Sequence, residues 1–172
     1  MSDISSDSAD TFFDDISNPL DGVEDVLTNQ NWAFNRANRD ELFVEVKGRH
    51  GIYNMMFAWD EEFGALQFCC EYDLQLHDLH VNKAYRTIAH INRSLWLGHF
   101  DLTEETMKPS FRHTQLFRGM TQTSGADHLH DLMQIAVDEC DRHYQTLLML
   151  SHSDAGDEES LSLAMMTVAG RS

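Results

Sequence analysis

The sequence predicts an α+β domain, an antiparallel sheet of five to six strands with helices packed on one face, in the order α-β-β-β(-β)-α-β-β-α. Three observations carry this. Apolar and polar residues alternate at 41–47, 52–59 and 65–76, as half-buried antiparallel strands do. The apolar period lengthens at 81–97 and 126–150 to about 3.6 residues, the period of an amphipathic helix. Strand–helix–strand alternation and a glycine-rich phosphate loop are both missing, so a nucleotide-binding sheet is not supported.

Asn18 and Pro19 open the first helix, as cap and as first-turn residue. Leu20, Val23, Val26 and Leu27 give it an apolar face, and Asp21, Glu24 and Asp25 sit where the helix dipole favours acids. It ends near Asn29, and Gly22 weakens it by about 1 kcal/mol relative to alanine. A short strand at 32–37 and a turn at 38–40 follow. In 41–47, Leu42, Val44 and Val46 share one face, and Gly48 and Gly51 flank a loop. In 52–59, Tyr53, Met55, Phe57 and Trp59 face one way and Met56 and Ala58 the other, so this strand is apolar on both sides. After a turn at 60–64, the stretch 65–76 points Leu66, Phe68, Cys70, Tyr72, Leu74 and Leu76 inward.

The second helix runs over 81–97 on Val81, Ala84, Tyr85, Ile88, Ile91, Leu95 and Trp96, and Gly98 ends it. Strands at 99–103 and 110–118 form a hairpin around a polar excursion at 104–109. A loop at 119–125 leads into the long helix 126–150, striped by Leu129, Leu132, Met133, Ala136, Val137, Cys140, Tyr144, Leu147 and Leu148. The domain therefore spans 18–150. Residues 1–17 read as a disordered acidic tail, and 151–172 as an acidic linker with a short apolar helix at 161–169.

Composition narrows the function. The chain has 172 residues, 42% hydrophobic and 24% charged, enough for one core. Its net charge is -17, with -5 on residues 1–18 and -3 on 151–172, which leaves the body at -9. Such a surface repels phosphate backbones and anionic lipid, so neither a nucleic acid nor a membrane is an expected partner. No apolar run approaches the ~20 residues of a membrane span, and the start has no basic, apolar leader, so a cytoplasmic location is expected. Three cysteines, two of them adjacent, make no disulfide framework.

No catalytic, metal or cofactor signature stands out. The ten histidines include no HExxH, and the cysteines no CxxC. Cys69 and Cys70 point to opposite faces. Cys70 belongs with the core, and Cys69 lies beside Glu71 and Asp73, a poor setting for a thiolate. His99, Phe100, Arg112 and His113 fall on one hairpin. Arg112 and His113 face opposite ways, so one of them pairs with a carboxylate such as Asp101 or forms a polar spot in a binding groove.

The aromatic content says more. Helices cover one sheet face only, so a second apolar face must meet a partner or another copy of the chain. The candidate contact surface is Tyr53, Met55, Phe57, Trp59, Trp96, His99, Phe100, Phe111, Arg112 and His113, with strand addition at a sheet edge as a further mode.

The runs NPLD (18–21), VEVKG (44–48), LWLGHFD (95–101) and FRH (111–113), with DECDRHY at 138–144, together resemble the YbjN domain of bacterial proteins over about residues 18–150. That family is described as a sensory-transduction regulator. The resemblance implies a fold like the small chaperones of type III secretion, which are α+β dimers that wrap extended client segments. It implies a non-catalytic, homodimeric, chaperone-like protein that holds a client or regulatory protein in stress response, motility or sensory regulation. The alternatives are a small-molecule sensor with a pocket between helices and an enzyme with a dispersed site around His99, His113 and nearby carboxylates.

Overall fold

The computed structural model describes residues 18–117, 122–152, 163, 165 and 166. The tail at 1–17, most of the linker expected at 151–159, the first part of the loop expected at 119–125 and most of the helix expected at 161–169 lie outside them. The chain forms α1 (Leu20–Asn29), β1 (Phe34–Arg36), β2 (Glu41–Lys47), β3 (Ile52–Asp60), β4 (Ala65–Tyr72), a short 3-10 turn (Asp78–His80), α2 (Val81–Asn92), β5 (His99–Thr103), β6 (Lys108–Leu116) and α3 (Gln122–Ser151). The fold is α+β, with a single six-stranded antiparallel sheet in the order β1-β2-β3-β4-β6-β5.

Local chemistry sets the boundaries. The Asn18 side-chain oxygen accepts the Leu20 N–H at 2.9 Å, capping α1. Leu20, Val23, Val26 and Leu27 are its buried residues. Arg36 of β1 donates to Glu24 at 2.8 Å and to Asp21 at 3.2 Å, tying the edge strand to the helix. Burial alternates residue by residue along β2 and β3, so the sheet has one covered and one open face. The covered face carries Leu42, Val44, Val46, Tyr53, Met55, Phe57, Trp59, Leu66, Phe68, Cys70, Tyr72, Phe100 and Phe111, all in one core with the apolar stripes of the helices.

Two expected elements are shorter. The fourth strand stops at Tyr72 rather than 76. Leu76 is still buried, but its N–H bonds the Met107 carbonyl at 2.8 Å outside the sheet. Helix α2 stops at Asn92 rather than 97, where the N–H groups of Arg93 and Ser94 turn back onto His90 and Ile91. Gly98 is therefore no helix cap. It holds φ +65° at the entry to β5, against the Phe111 ring and 2.9 Å from where a Cβ would meet the Arg112 carbonyl, a place only glycine fits. The last strand begins at Lys108, two residues earlier than expected, and α3 reaches back to Gln122.

Candidate functional site

The residues singled out from the sequence divide three ways. Tyr53, Met55, Phe57, Trp59, Phe100 and Phe111 are buried and form the core, so they are not a contact surface. The alternation of β3 was correctly phased, but the phase holding the larger side chains is the one the helices cover. Trp96 is 77% exposed because it lies beyond the end of α2. His99 and Arg112 are register partners on the open face, and His113 projects to the covered side, where burial lowers its pKa. His99 and His113 sit on opposite sides of the sheet by register, yet both border one depression.

The open face has a layout of its own. Strand register places Asn35, Phe43, Met56, Cys69, Arg112 and His99 side by side across all six strands. Phe43 is 39% exposed, and Met56 and Cys69 are half-buried. Arg112 bonds Asp101 at 3.1 Å on this face, the expected structural pair, but exposed rather than internal. Lys108 and Glu71 pair beside it at 3.3 Å. A depression of about 230 Å³ opens among Met56, Gln67, Phe68, Cys69, His99, Arg112, His113 and Thr114. Burial raises the Cys69 pKa against the opposing bond to Ser110, which disfavours the thiolate. Among the described residues no group of three His, Cys, Asp or Glu side chains could hold a metal ion.

The sheet edge at β5 is capped at Phe100. Asn92, the last residue of α2, donates to the Phe100 carbonyl at 2.9 Å and accepts the Phe100 N–H at 2.7 Å. Both backbone groups of Phe100 therefore point away from β6 and are satisfied by one side chain. Strand addition at that position is blocked.

Sequence reasoning missed the polar groups behind the core. Asp141 sits among the apolar positions of α3, yet it is 5% exposed. It accepts from Tyr53 Oη at 2.6 Å and from the N–H groups of Arg49 and His50 in the β2–β3 loop. Burial pushes its pKa up, but these donors outweigh that and hold it below the usual carboxylate value. The signal was present in Gly48, where a side chain would collide with Tyr53 and Asp141, and in Gly51, where it would collide with Tyr144. Tyr72 Oη likewise donates to the Cys140 carbonyl at 2.7 Å. Glu139, His143 and Thr146 line the same helix and are buried; His143 Nε2 stands 3.6 Å from Glu139 Oε2, too far for a hydrogen bond, and Thr146 Oγ1 has no hydrogen-bond partner among the described residues.

The motifs met first in the sequence thus converge: the VEVKG loop on Asp141, LWLGHFD on Phe111, and the Phe100 ring on His143 at 5.6 Å. A family model matches residues 19–149, and its description reads "YbjN: Putative bacterial sensory transduction regulator". The chain belongs to the YbjN family. The runs that carry the resemblance include residues that seat the β2–β3 loop on α3 through Asp141, and the β5–β6 hairpin on α3 through the Phe100 ring against His143. A solved structure, YbjN from E. coli, aligns with 13% identity and a TM-score of 0.49 over 73% of this chain and 93% of that one, a likeness too slight to argue from. No curated protein matches the chain. Among the described residues no helix is long and apolar enough to cross a membrane.

Proposed function

We propose that this YbjN-family chain is a non-catalytic, protein-binding regulator that holds a segment of a client protein against the open face of its sheet. The observation that supports the reading is the row from Phe43 through Met56 and Cys69 to Arg112 and His99, left uncovered while α1, α2 and α3 all serve the other face. An apolar end and a cationic end meet at the depression, which suits a segment with an apolar side chain next to a carboxylate. Arg112 has guanidinium donors beyond the one on Asp101 to offer such a group. The acidic body disfavours nucleic acid as the regulated partner.

The test uses Phe43→Glu and Arg112→Glu, both at exposed positions, beside the unaltered chain as baits in extract of the native host. The proposal expects the same unfolding temperature for all three and a protein retained by the unaltered chain but lost from both variants. Equal retention by all three, or no retained protein, overturns it. A second copy of the chain as the retained species makes the open face a dimer interface instead of a client site, and light scattering reads that directly.

A further inference from the structure

A groove runs between α1 and α3, apart from the sheet face. Val26 and Ala126 form its apolar floor, and Asp25, Asn29, Asp127 and His130 stand on its walls, enclosing about 470 Å³. At one side the helices come close, since a side chain on Gly22 would touch Ala126. Gln30 and His130, hydrogen-bonded at 2.8 Å, bridge the two helices. Among the described residues no lysine or arginine lines the groove. Arg36, the cation that does reach α1, is engaged by Asp21 and Glu24. Neither Asp25 nor Asp127 has an ion-pair partner among the described residues.

We propose that this groove docks a basic amphipathic segment of a partner protein, its apolar side chain on Val26 and Ala126 and its lysines or arginines on Asp25 and Asp127. Charge complementarity selects this occupant over the others. Residues 1–17 of the chain itself carry five aspartates and no cation, a second copy brings another net charge of -17, and nucleic acid is repelled for the same reason. Helix-in-groove recognition seats an apolar face between two elements, and here the groove pairs a small apolar floor with acidic walls.

The probe is a labelled synthetic helix of about 14 residues built from leucine and lysine in an amphipathic order, with a scrambled isomer of the same composition as control. Fluorescence anisotropy is read on the full chain, on Asp25→Asn/Asp127→Asn, and on Glu45→Gln/Glu105→Gln, which removes the same charge from exposed sites elsewhere. The proposal expects one peptide per chain, loss of about tenfold in affinity in the groove variant, and a change within about twofold in the other. The scrambled isomer is expected to bind more weakly, and Phe43→Glu to leave the affinity in place, which separates this groove from the sheet face. Absence of binding overturns the proposal. So does equal loss in both double variants, which marks diffuse attraction, or an unchanged affinity in the groove variant.

Discussion

Asp141 shows how much one side chain can hold. It accepts from three donors, two backbone N–H groups and a phenol hydroxyl, joins the β2–β3 loop to α3 and is buried. Replacing it with asparagine is expected to cost about 2–3 kcal/mol at neutral pH in urea denaturation, because hydrogen bonds to a buried charge are among the stronger ones. The pH dependence has a definite sign. The folded-state pKa is depressed, so the stabilisation is complete above the unfolded value of about 3.9 and fades as pH falls through the folded value. The gap between the two proteins should therefore stay constant from about pH 7 to 5 and close in stronger acid. A gap that widens in acid contradicts this. Gly98→Ala is expected to cost about 2 kcal/mol or more in the same assay, through positive φ and the Phe111 ring together. The importance of Gly98 was legible in the sequence and its role was not. Asp141 was illegible because a polar residue between Cys140 and Tyr144 reads as one turn of a solvated helix face until Gly48 brings a backbone against it.

At the scale of elements, periodicity found every strand and helix among the described residues and misjudged where some of them stop. Leu95 and Trp96 continue the spacing of Ile88 and Ile91, so the second helix reads as running to Gly98. A tertiary contact sits where it stops: the side chain of Asn92, its last residue, bonds the edge of β5. No local composition announces that bond. Asn92→Ala is expected to speed hydrogen exchange at the Phe100 amide and to lower stability by about 1–2 kcal/mol, with exchange in β3 and β4 following only the global change. Unchanged protection at Phe100 would show that another group seals the edge. The β4 overrun has a similar cause, since Leu74 and Leu76 keep the alternation after the chain has left the sheet for Met107.

For the whole molecule, the question was which face of a two-faced sheet the helices hide. Alternation separates Tyr53, Met55, Phe57 and Trp59 from Met56 and Ala58, but it does not say which set is covered, and aromatic weight pointed to a surface where there is a core. The physical rule is that helices bury the phase with more apolar area, because that burial stabilises more. Phe57→Ala is accordingly expected to cost about 3–5 kcal/mol, and Phe43→Ala within about 0.5 kcal/mol, by denaturant unfolding of the two. Similar costs would mean that both faces are packed within the monomer. The open face is left with a modest apolar row ending in Arg112 and His99, and the regulatory reading depends on another protein meeting that row.

Photo-crosslinking tests this most directly. A benzophenone side chain placed at Phe43 on the open face, or at Phe63 in the exposed β3–β4 turn, reports which surface is in contact inside the native cell. The account predicts a protein adduct from position 43 and none from position 63. An adduct from 63 alone, or from neither, would contradict it.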